Sequence, residues 1–248
     1  MHDQAVFPRY PRFLPVGDSA VSVEFGNTID PVLNAAVISL DLSIAAAEIP
    51  GIVETMPTFR SLLVCYDPGE ISFEQLIGDL SGLIARPSVS RRGGGRRWTV
   101  PVAYGGTYGD DLDEVAGELG LAPGEVVDIH CAAEYLVYLV GFHPGTPNLG
   151  GLPAPLHISR RKLPRPSAPP SSVAIGGMQS GITSIPSPTG WYVLGRTPVR
   201  PYQPGRTNPF LFQPGDRVRF KPITPGEFER LDALASTRQE VAILESLS

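Results

Sequence analysis

Proton chemistry near neutral pH asks for an imidazole, and two of the four histidines in this 248-residue chain stand where a pocket could use one. His130 closes the helical pattern PGEVVDIH, and His143 lies in GFHPGTPNLGG (141–151), directly after the apolar run YLVYLV. Pro144 pushes His143 toward extended geometry and projects its ring away from the turn. The surrounding glycines and prolines, Gly145 among them, can present backbone amides to an anion or carboxylate at fixed angles. Gln179, held between glycines in IGGMQSGI, offers a carboxamide that can orient a carbonyl or a water. Trp191 and Arg196 bracket WYVLGR and pair an apolar wall with a fork donor for carboxylate or phosphate. Arg165, in SRRKLPRPS, adds another anion contact. Three such loops in one region read as a composite pocket.

Each of these residues also has a structural reading. His130 fits a helix-end histidine donating to a carbonyl, Trp191 a core residue, Arg196 a rim ion pair. Asp110 and Asp111 are adjacent, so their carboxylates diverge, and they suit the start of a helix better than paired-carboxylate catalysis. Cys131 follows His130 directly, and consecutive side chains on a regular element point apart, which disfavours a Cys/His nucleophile pair. The glycine loop lacks the GK[ST] of a Walker A motif. No Ser/His/Asp order or metal-ligand spacing stands out, and His157, near Arg160 and Arg161, reads as a surface residue.

The elements that must position these residues divide the chain in two. From Arg12, FLPVGDSAVSVEF reads as two short strands around a turn, and Asp30-Pro31 caps and opens a helix running up to Pro50. Strands at 51–56 and 61–66 and a helix from the capping box at Ser72–Gln75 complete a ββαββα order. Residues 1–86 are therefore expected to form a small ferredoxin-like α/β domain. The stretch 87–97, with Arg91, Arg92, Arg96 and Arg97 among glycines, reads as a linker with a solvated charge run rather than a phosphate site. Residues 98–248 alternate short β-type runs (SSVAI, WYVLG, FLF, RVRF) with Gly/Pro/Ser/Thr loops, the pattern of an antiparallel barrel. A capping box at Thr224–Glu227 starts a C-terminal helix expected to reach about Leu247.

Composition limits the function classes. A net charge of −5 gives no global attraction to nucleic acid or anionic lipid. The apolar run at 135–140 is too short to span a bilayer, and MHDQAVFPRYPRF lacks the order of a signal peptide, so a cytoplasmic location is expected. Two cysteines, Cys65 and Cys131, are too few for a disulfide framework.

EYLVYLVGFHPGTPNLGGLP, LPRPSAPPSSVAIGGMQSGITSIPSPTGWYVLGRTP and LFQPGDRVRF, with VGDSAVSVEFG and DIHCAAEY upstream, resemble the B subunit of the ATP-dependent 5-oxoprolinase, the family also called KipI or allophanate hydrolase subunit 1. The pattern GFxPGFxYLGG is matched at Gly141, Phe142, Pro144, Gly145, Leu149, Gly150 and Gly151; Thr146 and Asn148 stand where aromatics are usual. The pattern PAGSVAIxGxQTGIYPxxSPGGW is kept at Ser172, Gln179, Gly181, Pro188, Gly190 and Trp191, while Ser171, Thr183 and Thr189 replace glycine, tyrosine and glycine. The resemblance implies a small α/β domain followed by a cyclophilin-like barrel, α+β overall. It implies pairing with a homologous C subunit, as heterodimer or heterotetramer, and action with a separate A subunit to open 5-oxo-L-proline to L-glutamate. ATP would be used, with Mg²⁺ carried by the nucleotide, and Arg165, Arg196, Ser172 and the loop amides would bind substrate or ATP. Relatives implied by the same resemblance include a carboxyltransferase component of urea carboxylase and an inhibitor of a sensor histidine kinase.

Overall fold

The computed structural model describes residues 10–86 and 95–245. The chain divides into two compact units, Met1–Gly94 and Gly95–Ser248. Most of the expected linker, with Arg91 and Arg92, lies outside the described residues. Its last three residues, from Gly95, belong to the second unit: Arg97 opens a strand, and Arg96 reaches Asp216 with Nε at 3.2 Å and Nη2 at 2.6 Å.

In the first unit the order is β1 (Arg12–Pro15), β2 (Ala20–Glu24), α1 (Pro31–Ala47), β3 (Ile52–Pro57), β4 (Ser61–Tyr66) and α2 (Phe73–Ala85). Asp30 Oδ1 accepts from Val32 N at 2.7 Å and Leu33 N at 3.2 Å, satisfying amides the first helical turn leaves free. The reciprocal bonds between Ser72 and Gln75 cap α2 in the same way. The sheet runs β1-β2-β4-β3, antiparallel throughout, so β4 lies between β2 and β3 as in a split βαβ unit. Alternation along β4 sends Leu62, Val64 and Tyr66 into one core with Val37, Leu40 and Ile44 of α1 and Leu76 and Leu80 of α2.

The second unit is a closed barrel of seven strands. Its wall is β5 (Arg97–Tyr104), β6 (Tyr135–Val140), β7 (Pro147–Gly150), β9 (Ser172–Gly176), β10 (Gln179–Ile182), β12 (Tyr192–Arg196) and β13 (Arg217–Pro222). Neighbours follow β12-β9-β10-β7-β6-β13-β5, and β5 closes on β12. Every pairing is antiparallel except β5 with β13, which run parallel from Arg97/Arg217 to Val102/Pro222. The helices α3 (Leu112–Leu119) and α4 (Pro123–Ala132) pack on it, and a two-stranded ribbon of β8 (Arg165–Ala168) and β11 (Ser187–Thr189) stands apart from the wall. Inward positions such as Val173, Ile175, Ile182, Tyr192 and Leu194 fill the interior.

Two expectations fail at the C-terminal side. The final helix, α5 (Pro225–Ser236), stops well short of its expected end; Arg238 turns left-handed at φ 68°, and β14 (Ile243–Glu245) pairs antiparallel with β5. The β-type run AILE there outweighs continued helix. The FLF run forms no strand: Phe210 makes one isolated bridge to Tyr202, while Leu211 and Phe212 are buried in the core. No helix among the described residues is long and apolar enough to cross a membrane.

Candidate functional site

His130 is inside the barrel, fully buried, and stacks on Phe220 with centroids 4.6 Å apart. Its Nδ1 lies 2.8 Å from Tyr104 Oη and its Nε2 3.2 Å from Ser180 Oγ, and burial lowers its pKa to about 3. Ser180 O–H donates to the Ala174 carbonyl, leaving its lone pairs for the imidazole Nε2–H. Nδ1 then accepts from the Tyr104 hydroxyl, which accepts the Cys131 thiol proton at 3.4 Å. Burial pushes the Tyr104 and Cys131 pKa values up, so every proton in the chain stays in place. Its bonds are to side chains rather than to the carbonyl expected of a helix-end histidine, and the ring, sealed from solvent, has no route to a substrate.

The loop 141–146 forms the β6–β7 turn, closed by Gly141 N to Thr146 O at 3.0 Å and Thr146 N to His143 O at 3.1 Å. Gly145 takes φ +73°, and a Cβ there would lie 2.8 Å from Tyr202 Cβ and 2.9 Å from the Pro201 carbonyl, so only glycine lets the loop rest on that segment. His143 and Pro144 line a cleft of about 520 Å³ with Phe142, Phe210, Phe212 and Gln213. Phe142 is 90% exposed with φ 68°, an arrangement a bulky residue adopts only under constraint.

Gln179 and Trp191 belong to a different face. Along β10, Ser180 and Ile182 point into the barrel, which turns Gln179 and Gly181 outward. Trp191 lies flat on the glycines of this outer face: a Cβ at Gly176 would come 2.7 Å from its Cδ1, and one at Gly181 3.0 Å from its Cζ3. Beyond β7, on β6, the register shifts between Val137 and Leu139, and the bulged residue, Tyr138, covers Gly150 so closely that a Cβ there would collide with its ring. Gln179 is 5% exposed, and its Nε2 is buried without a partner among the described residues. The glycine loop and this face are therefore two features, not one composite pocket.

Arg165, expected to meet phosphate, is committed elsewhere. Arg165 binds Asp110 at 2.7 Å and also Asp111, whose other oxygen accepts from Val193 N at 2.7 Å. Arg161 joins Asp111 at 2.9 Å and Glu114 at 2.8 Å. Asp111 thus makes no side-chain cap for α3, contrary to expectation; its buried carboxylate holds the β8 ribbon to the barrel wall. Arg196 lies over the Phe228 ring at 5.8 Å and donates to the Pro170 carbonyl at 3.5 Å. Ser172 is wholly buried, its hydroxyl donating to the Pro169 carbonyl at 2.8 Å. His157 Nε2 is 2.9 Å from the Leu152 carbonyl. Among the described residues no group of three His, Cys, Asp or Glu could hold a metal.

Sequence reasoning missed two residues of this outer face. Tyr138 was hidden in an apolar run, and the bulge that re-aims it has no sequence signal there. Arg160 places its guanidinium 5.7 Å over the Trp191 ring.

A seven-stranded barrel with glycine-bedded aromatics on its outer face, joined to a separate α/β unit, defines a carboxyltransferase-like protein. Residues 11–212 match the family described as carboxyltransferase domain, subdomains C and D, and the chain belongs to that family. It is 37% identical over 223 residues to the 5-oxoprolinase B subunit of Bacillus subtilis, covering 86% of this chain and 93% of that protein. It superposes on the crystal structure of the protein TTHA0988 with a TM-score of 0.75 at 36% identity, over 83% of this chain but only 40% of that one. The Kluyveromyces lactis urea carboxylase shares the fold, with a TM-score of 0.77 at 20% identity, over 94% of this chain and 23% of that one.

Proposed function

We propose that the chain is the B subunit of an ATP-dependent 5-oxoprolinase, working with a homologous C subunit, plus a separate A subunit, to open 5-oxo-L-proline to L-glutamate. The observation that carries this reading is the identity to the Bacillus subtilis 5-oxoprolinase B subunit over nearly that protein's whole length. The barrel supports it with the two features a lactam site needs: a flat aromatic surface, Trp191, and an amide donor, Gln179, beside it. His143, on the separate cleft, and the sealed His130 are both left out of it, because neither lies on the face of Trp191 and Gln179.

The ion pairs of Arg165 bear on the nucleotide. A triphosphate needs converging cations without other partners. Arg165 does not fit that need and Arg196 alone gives no convergence, so in this reading the chain holds the lactam, and ATP with its Mg²⁺ depends on the C subunit. The reading also places the complex in the cytoplasm.

Co-expression with candidate C-type and A-type partners and measurement of ADP release tests the reading. Release stimulated by 5-oxo-L-proline is expected, and a well-folded complex without it refutes the reading. Stimulation by urea with bicarbonate instead would point to carboxyl transfer, the chemistry of the urea carboxylase whose fold it shares. An inert complex that inhibits a sensor histidine kinase would point to a regulatory role.

A further inference from the structure

We propose that the Gln179 carboxamide reads the carbonyl oxygen of a flat cyclic amide laid against Trp191, with Arg160 at the rim as the counter-ion of the ligand's carboxylate. The inference rests on the lactam reading above and names the group that would select the lactam. Its starting point is the orphaned donor. Gln179 is 5% exposed, and its Nε2 has no hydrogen-bond partner among the described residues. A native fold seldom leaves a buried amide donor unmade unless something outside the chain completes it.

The surroundings say what that something is. Gly176 lies directly opposite Gln179 on β9. On the other side, β10 pairs Ser180 with Leu149 and Gly181 with Asn148, and one further step of that register brings Gly150 opposite Gln179. Neither glycine has a side chain to meet the amide. The room they leave is taken by two rings, Trp191 over Gly176 and Gly181 and Tyr138 over Gly150. An N–H donor beside aromatic faces asks for an acceptor on a thin, planar group, because only a planar group reaches the donor while lying along a ring. Trp191 is partly buried and Arg160 is exposed, so the rim of this face meets solvent. The guanidinium of Arg160, 5.7 Å over the Trp191 ring, has no carboxylate partner among the described residues. A five-membered ring bearing a carbonyl and a carboxylate presents all three complements: acceptor, flat face and anion.

Gln179→Met separates a ligand-reading amide from a structural one, because it keeps the length of the side chain and removes the orphaned donor. In the complex with its C-type and A-type partners we expect Q179M to melt at or above the wild-type temperature. Loss of one ligand hydrogen bond should weaken 5-oxo-L-proline by about tenfold while leaving L-proline, which lacks the ring carbonyl, unchanged. In kinetics the loss should appear in KM for 5-oxo-L-proline. A variant that melts lower or fails to fold, yet keeps its preference for 5-oxo-L-proline over L-proline where that can be measured, overturns the proposal and makes Gln179 a structural group or the site of a bound water only. Should the complex release no ADP, direct titration of the full chain with 5-oxo-L-proline still decides. Binding that Q179M abolishes supports the inference while the reaction assigned to the complex fails, and no binding by the wild-type chain overturns the inference itself.

Discussion

Acid should weaken the barrel through one residue. His130 is neutral and fully buried in the folded chain, with a pKa lowered from 6.5 to about 3 by loss of solvent. In the unfolded chain the same imidazole takes a proton near pH 6.5. The sign follows from linkage: between the two values the unfolded state binds the extra proton, so stability falls as pH falls below 6.5 and continues to fall until about 3. At pH 5 that single proton amounts to about 2 kcal/mol, and at pH 7.5 to almost nothing. Both tryptophans, Trp98 and Trp191, lie in the second unit, so tryptophan fluorescence during urea unfolding follows the barrel alone. His130→Gln retains a donor and an acceptor but cannot titrate. It should be less stable at every pH, and the drop in unfolding free energy from pH 7.5 to pH 5 should be smaller than in the wild type by about 2 kcal/mol. Equal acid sensitivity in the two proteins would refute the reasoning, as would an imidazole of His130 found to titrate near 6.5 by NMR in the folded chain.

Two further perturbations probe other parts of the second unit. Asp111→Asn should destabilise the barrel by about 2–3 kcal/mol in denaturant unfolding, less than for a fully dry pair because Arg161 and Arg165 are a fifth to a quarter exposed; a change under about 0.5 kcal/mol would mean the clamp is ornamental. Phe142→Gly relieves a left-handed bulky residue that is 90% exposed and should raise thermal stability, by about 1 kcal/mol at the midpoint. If it lowers stability instead, the phenyl ring is packed rather than strained.

The parts of the fold that local chemistry controls were legible from the residues. Asp30-Pro31 and Ser72–Gln75 mark helix starts because capping is a matter of three or four neighbouring residues. The apolar run LLVCY marks the strand at 61–66, which as β4 lies between β2 and β3. What failed was non-local. The pairing of Ile243–Glu245 with β5 depends on a strand more than a hundred residues earlier, so helix continuation looked as good from the sequence. For the site, the glycines suggested amides presented to an anion, and nothing local says which ring lies over which glycine. Gln179 was identifiable because its neighbours are glycines; Arg165 was misjudged because its partners, Asp110 and Asp111, lie some fifty residues away and had been assigned to a helix start. Tyr138 went unseen because a bulge changes the direction of one side chain without changing composition.

The strand β5 has a consequence for how the protein is made. It is the first wall strand to be synthesised, and its parallel partner, β13, ends at Pro222, more than a hundred residues later. β12, which closes the ring on β5, also comes late. No local hairpin can complete this wall, so closure must wait for loop entropy to be overcome across most of the unit. On the ribosome the preceding unit can be finished while β5 is still waiting with both edges open. The barrel is therefore the slow and aggregation-exposed half of biogenesis, and translation that stalls before Pro222 would leave an unclosed sheet for chaperones to shield.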